Sequence, residues 1–373
     1  MARPDLTFGW FLPTSGDSTN LADPKALIPQ SRELFDEIVD VVDNAGFSYM
    51  LMPVNAQCWE ATVVGAYYLA KTKHVAPLVA LRSAYCNPVL SAKIFATLDQ
   101  MSGGRICVNL IAGINDDDTR ADGIPDTKQV RYEKMDEEVQ IMKRLWTSNE
   151  PIGFEGKHYQ VDTAIEPKPL QQPHPPFFLG GGSEQALEIS AKHSAVHLFW
   201  GDRPSGIATK IKDLKARAAK YGREDALGFG MRLQIVCADT EEEAWADAAR
   251  LVAGADRGKL QLANMRNRPS AADGIRRTSE ANRQVWKLLE ESGADMKLAP
   301  HLWAGISQVR AGAGIAVVGN PEQVAATLDE FVDAGCTSFC LSGYPHAKAA
   351  RIFAEKVMPY FQGRLAPALP RAA

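Results

Sequence analysis

The chain has 373 residues, 46% hydrophobic and 23% charged, enough for one large globular unit or two ordinary ones. Its 41 basic and 45 acidic residues leave a net charge of −4, and no basic block of the kind that tracks a phosphate backbone occurs, which argues against a nucleic-acid partner. No run of about 18 apolar residues marks a transmembrane helix. The start, Met1-Ala2-Arg3-Pro4-Asp5, lacks the apolar stretch of a secretory signal, so a cytoplasmic protein with no membrane partner is expected. Six cysteines (Cys58, Cys86, Cys107, Cys237, Cys336 and Cys340) are scattered without C-x-x-C spacing and read as reduced thiols. No HExxH, Walker loop or GxGxxG occurs, so no metal site is expected, and a zinc peptidase, a P-loop hydrolase and a plain Rossmann dehydrogenase all lose support.

Thr7 to Pro13 reads as a first strand, followed by a polar Gly/Ser/Asp loop. Leu34, Ile38, Val41 and Val42 share one face of a helix that Gly46 ends. Strands over Tyr49–Val54, Val75–Arg82 and Arg105–Gly113 then alternate with helices over about Trp59–Lys73, Asn87–Met101 and Arg131–Trp146. The alternation continues with strands over Phe177–Gly182, Val196–Gly201 and Leu227–Ala238 and helices over Ser183–Lys192, Ser205–Tyr221 and Asn320–Ala334. Thr240 and Glu243 have capping-box spacing. The last strand, from Thr337, is a continuous apolar run that stops at Gly343. Eight strand–helix units predict an α/β fold, a (β/α)8 TIM barrel with insertions, residues 1–373 forming a single domain. Ile152–Val161 reads as a hairpin turning at Glu155-Gly156. Gly254 to about Gly314 is too long for a barrel loop. Beside an active site such a segment reads as a lid, the plain alternative being an insertion used in oligomer packing.

In a barrel of this kind the chemistry sits where strands end, so the groups there are the candidates. Strand four ends with Asn109, Gly113 and Asp116-Asp117-Asp118. Strand five ends in Gly180-Gly181-Gly182-Ser183 at a helix N-terminus, where free backbone N–H groups and a hydroxyl suit a phosphate; the plain alternative is a flexible turn. Arg131-Tyr132 offers a second phosphate contact, or a solvated Arg beside a core Tyr. Trp200 suits a planar ligand or plain rim packing. Arg232, inside an apolar strand, requires a counter-charge, either a bound anion or an internal carboxylate. Arg310 lies in the Gly/Ala-rich insertion, Cys58 follows strand two, and Tyr344 and His346 follow strand eight as two proton-handling groups.

Matching residues place the chain in a recognisable family. The segments FGWFLPTSGD, ATLDQMSGGRICVNLIAG, GKHYQV and KPLQQPHPPFFLGGGS, and most specifically HLWAGISQVRAGAGIAVVG and SGYPH, resemble the bacterial luciferase-like flavin monooxygenases and, within them, the FMNH2-dependent alkanesulfonate monooxygenases. The resemblance covers nearly the whole chain. It implies the luciferase-like version of the TIM barrel, an enzyme supplied with reduced FMN by a separate NAD(P)H-dependent reductase, O2 as co-substrate, and cleavage of a C–S bond that releases sulfite and an aldehyde. Family members assemble as dimers or tetramers, so a homo-oligomer is expected. By the same resemblance Asn109, Asp118, Arg131, Tyr132, Gly182 and Ser183 fall at the FMN, with Ser183 at its phosphate. Trp200, Arg232, Gln234 and Cys58 fall at the substrate, and His346, Tyr344 and Arg310 at the chemistry, Arg310 closing with the lid.

One position departs from the family pattern: where the alkanesulfonate enzymes carry a histidine two residues after the strand-seven arginine, this chain has Gln234. With Asn55 and Gln57 it adds neutral hydrogen-bonding groups, which favours a polar sulfonate such as sulfoquinovose, with an alkanesulfonate, a simple C1 or C2 one included, as the alternative. The competing expectations are a luciferase-like monooxygenase acting on a sulfone or heterocycle, a non-catalytic flavin-binding barrel, and a deazaflavin-dependent relative.

Overall fold

Eight parallel strands run β1 (Thr7–Phe11), β2 (Tyr49–Met52), β3 (Ala76–Arg82), β4 (Cys107–Ile111), β5 (Phe177–Gly180), β6 (Val196–Trp200), β7 (Gly228–Cys237) and β8 (Ser338–Ser342). They hydrogen-bond in chain order, and β8 returns to β1 in the register Thr7–Ser338 to Trp10–Leu341, which closes the barrel. The structure, a computed structural model, describes residues 3–113, 116–255, 280–310 and 312–366, with the backbone alone at 118 and 280–282. The expected (β/α)8 barrel is what the chain forms.

Side chains alternate across each strand, and this period of two sorts the barrel into an inside and an outside. Tyr49, Leu51, Ala76, Leu78, Cys107, Phe178, Val196, Leu198 and Cys340 pack on one another as the barrel interior, and Phe11 closes this stack from above. Their neighbours along the strands, such as Trp10, Met50, Val108, Phe177, Met231 and Phe339, pack outward against the helices. Glycine makes room where the interior is tightest: a Cβ on Gly9 would fall 2.1 Å from the Tyr49 ring.

The helices are α1 (Arg32–Asn44), α2 (Ala61–Lys71), α3 (Pro88–Ser102), α4 (Lys128–Thr147), α5 (Glu184–His193), α6 (Pro204–Ala219), α7 (Glu241–Leu251), α8 (Glu280–Glu291), α9 (Pro321–Asp333) and α10 (His346–Ile352). Asn87 caps α3 ahead of Pro88, and Gly103 ends it at φ +69°. The capping box at Thr240 and Glu243 is present on α7. Helix α4 starts earlier than its apolar period suggests, because Thr127 Oγ1 accepts the Val130 N–H at 3.4 Å. The hairpin pairs Ile152–Glu155 with Gln160–Thr163, so its turn is Gly156–Tyr159.

The segment after α7 differs from expectation. Besides α8, it builds a small sheet on the barrel's side. Ala316–Gly319 runs parallel to the upper half of β7, pairing Gln234 with Ala316, and Leu302–Trp303 pairs with it in turn. Strands of two to four residues carry too little periodicity to be read from sequence. Residues 256–279 of the expected lid lie outside the described residues. Among the described residues no helix is long and apolar enough to cross a membrane.

Candidate active site

At the carboxyl ends of the strands lies a cavity of about 280 Å³. The inward positions at the top of each strand supply its walls: Phe11 from β1, Asn109 from β4, Trp200 from β6 and Arg232 from β7. The loop after β5 adds Gly182 and Ser183, α4 adds Lys128 and Tyr132, and the segment before Ala316 adds Arg310 and Ala313. A larger cavity of about 840 Å³ lies at the opposite end of the barrel. Its charged groups are spent on the fold: Asp43 accepts the N–H groups of Lys73, His74 and Val75, and Arg105 donates to the Val75 and Thr72 carbonyls.

Among the described residues, charge at the mouth is unbalanced. The Arg232 guanidinium lies 4.4 Å from the centre of the Phe11 ring and that of Arg310 lies 5.5 Å from it, so two cations share one aromatic side chain. Arg232 is buried and donates to the Cys340 carbonyl at 3.2 Å and Ser342 Oγ at 3.0 Å. Burial pushes its pKa down, and Arg310 adds to the push, yet a guanidinium stays charged at neutral pH. Among the described residues neither arginine forms an ion pair with a carboxylate, so the internal salt bridge weighed for Arg232 is not what holds it.

The Gly180–Ser183 turn lies across the cavity. Gly181 sits at φ +130°, where a side chain would be strained. Ser183 caps α5, its Oγ accepting the Ala186 N–H at 3.3 Å, and the Tyr132 hydroxyl reaches the same Oγ. Ser183 and Lys128 line the mouth together, beside the N-terminus of α5. This donor set fits a phosphate, and the walls of Leu110, Val54, Leu198 and Trp200 fit a planar ring.

His346 stands behind Phe11, their ring centres 5.9 Å apart, with Trp10 at 6.1 Å and Tyr344 at 5.0 Å. It is 1% exposed, and among the described residues neither ring nitrogen has a hydrogen-bond partner of good geometry, the Phe11 backbone offering only a weak one. Burial, with help from Arg310 and Arg232, holds its pKa well below the ordinary value, so the ring is neutral at pH 7. Tyr344 is half-buried against the apolar cluster shared by β7, α7 and the side sheet, and burial raises its pKa.

Of the residues singled out by sequence, Asn109, Tyr132, Gly182, Ser183, Trp200, Arg232 and Arg310 line the one cavity. His346 and Tyr344 form a layer directly behind it. Others are placed elsewhere. Arg131, expected at a phosphate, is fully buried beneath the loop after β4, donating to the Ala112 carbonyl at 2.5 Å, the Asp126 carbonyl at 2.6 Å and Asp116 at 2.9 Å, with Nη2 unpartnered among the described residues. Cys58 sits in an outer turn, its N–H bonded to Asn55, and does not line the cavity. Gln234, expected at the substrate, is completely buried with its amide engaged by protein groups. The Asp118 side chain lies outside the described residues. Sequence reasoning missed Phe11, Ser342 and Asp17. The first two are legible as inward positions at strand ends, but Asp17, whose carboxylate accepts the His346 N–H at 2.7 Å, is joined to it only by the fold.

Solved structures with the same fold include a riboflavin lyase (RcaE) holding modified FMN and riboflavin, at TM-score 0.78 and 20% identity over 98% of this chain and 94% of that one. The EDTA monooxygenase EmoA of Chelativorans sp. BNC1 has TM-score 0.76 and 18% identity over 96% and 94%. DmoA of Hyphomicrobium sulfonivorans has TM-score 0.76 and 18% identity over 100% and 91%. These likenesses establish the architecture. The sequence profile of the luciferase-like monooxygenases matches residues 6–338, and with the closed barrel and the phosphate-and-cation mouth just described, the chain is an oxidoreductase enzyme of the luciferase-like monooxygenase family.

Proposed function

We propose that the protein is a two-component monooxygenase that uses reduced FMN and O2 to cleave the C–S bond of a polar organosulfonate. In balance, R–CH2–SO3⁻, O2 and FMNH2 become R–CHO, HSO3⁻, FMN and H2O. The observation that carries this reading is the pair of guanidinium groups on Phe11 at the mouth of the cavity, neither of which has a carboxylate partner among the described residues. A buried cation without a carboxylate is costly unless an anion completes it, and arginine suits a tetrahedral oxyanion. Reduced FMN, when bound, supplies the electrons that activate O2.

This chain's own groups then divide the work. The Gly182–Ser183 turn, Lys128 and Tyr132 hold the phosphate end, with Asn109 and Trp200 along the ring. Arg232 and Arg310 orient the sulfonate. Neutral His346 stands ready to accept a proton once the mouth is filled. Arg310 belongs to the segment 254–314, which we read as the part of a single-domain chain that covers the site and excludes water. A separate reductase supplies the flavin. Trp59, just ahead of α2, and Val63 and Tyr67 on its outer face are exposed, an apolar strip suited to a homo-oligomer contact. The case for a sulfosugar such as sulfoquinovose now rests on Asn55, which lines the cavity, since Gln234 and Gln57 do not.

The test is sulfite release with FMN and a flavin reductase, from sulfoquinovose and from octanesulfonate. Arg232→Met and Arg310→Met should each lower kcat/KM by about 10- to 100-fold, the worth of a charge-assisted hydrogen bond. Activity on octanesulfonate alone would refute the sulfosugar; undiminished sulfite release by both variants would sink the anion-binding reading. Anaerobic titration should show preference for FMNH2 over FMN. Binding of a reduced deazaflavin with FMNH2 ignored would move the protein to the deazaflavin-dependent relatives, two of which share its fold.

A further inference from the structure

Gln234 is 0% exposed, and both ends of its amide are occupied. Nε2 donates to the Ala313 carbonyl at 2.8 Å, and Oε1 accepts the Ser342 hydroxyl at 2.9 Å. Ser342 Oγ in turn accepts from Arg232 Nη1 at 3.0 Å. At the other end the Ala313 carbonyl also accepts from Arg310 Nη1 at 3.3 Å. These bonds make one chain between the two guanidinium groups: Arg232, Ser342, Gln234, the Ala313 carbonyl, Arg310.

Chemistry forces its direction. Arginine only donates, so Ser342 must accept from Arg232 and pass its own proton to the Gln234 oxygen. A backbone carbonyl only accepts, so the amide nitrogen must face Ala313. Position 234 therefore needs a neutral group with an acceptor on one side and a donor on the other, which an amide supplies. A carboxylate has no proton for Ala313 and adds a negative charge between the cations. An aliphatic side chain breaks both bonds.

We propose that Gln234 is a positioning residue that ties the Arg310 segment to the barrel and sets the spacing of the two arginines, without touching the substrate. The inference rests on the reading that these arginines hold the sulfonate. It follows that every sulfonate feels Gln234 alike, whatever organic group it carries, whereas a direct contact would be felt only by a substrate with hydroxyl groups to offer.

Equilibrium binding of methanesulfonate and of sulfoquinovose to the full-length protein, measured by calorimetry, separates the two. Gln234→Leu should weaken both ligands by the same factor, roughly tenfold for a severed hydrogen-bond link. Ser342→Ala should do the same, and the double variant should lose no more than the worse single variant, because the chain is already cut. Gln234→Glu should weaken both further. A loss confined to sulfoquinovose, or additive losses in the double variant, would overturn the proposal. So would unchanged binding in Gln234→Leu while Arg310→Met loses affinity. If Arg232→Met and Arg310→Met leave methanesulfonate binding unchanged, the anion reading falls and this inference with it. FMN affinity, set across the cavity at the Gly182–Ser183 turn, reports that each variant is folded; where Gln234→Leu fails that control, Ser342→Ala alone decides by the same equal-factor criterion.

Discussion

Asp17 is buried at 2% exposure in a short polar strand, and its carboxylate accepts N–H bonds from Ser18 at 2.8 Å and His346 at 2.7 Å. These bonds favour the charged form, but burial outweighs them, Glu37 adds to it, and the pKa rises to about 6. In the unfolded chain the same carboxyl titrates near 3.9. Between about pH 4 and pH 6 the native state therefore binds more proton than the unfolded one, so this group's contribution to stability falls as pH rises through that window and stays lower above it. Asp17→Asn keeps an acceptor for the His346 N–H and removes the charge. Relative to the wild type, it should gain about 2–3 kcal/mol between pH 4 and pH 7.5, measured by urea unfolding at both. A pH-independent difference would show that the carboxylate is not the origin. Arg131 teaches the same lesson by contrast: as a sequence position it suits an anion, yet three of its contacts go to the loop it supports.

At the scale of elements, the start of α5 does two jobs at once. Ser183 caps the helix through the Ala186 N–H and also lines the cavity. Ser183→Ala should cost about 1 kcal/mol in stability from the cap alone. It should also raise the Kd for FMN about tenfold, read by quenching of flavin fluorescence; an unchanged Kd would leave Ser183 a cap and nothing more. The glycines and serine of this turn, and the Thr240–Glu243 box, were legible because capping chemistry is local: donor, acceptor and spacing all lie within four residues. The side sheet at Leu302–Trp303 and Ala316–Gly319 was not, because its stability comes from pairing with β7 and not from its own pattern. Yet that sheet is what brings Ala313 and Arg310 over the barrel.

At the scale of the molecule, closure of the barrel sets the distances across its mouth. Gly230 lies where β6, β7 and β8 meet; a Cβ there would fall 2.3 Å from the Ser338 carbonyl oxygen and 2.8 Å from Leu198 Cδ2. Gly230→Ala must push β7 and β8 apart, two residues below Arg232, and should destabilise the fold by about 1–3 kcal/mol as an overpacked core site. Thermal unfolding and sulfite release should fall together, and a variant of unchanged Tm would show that the strands yield there without cost. Sequence by itself determined the eight strand–helix units, the family and many of the polar groups in the cavity wall, since period-two strands with polar groups at their carboxyl ends point those groups to one rim. It placed Gln234 on strand seven and expected it at the substrate, where it does not line the cavity. Only the tertiary structure decided what Gln234 touches, because Ser342 lies 108 residues away and Ala313 79 residues away along the chain. Burial spends an amide on whichever partners the fold brings within reach, and no local pattern encodes partners that distant.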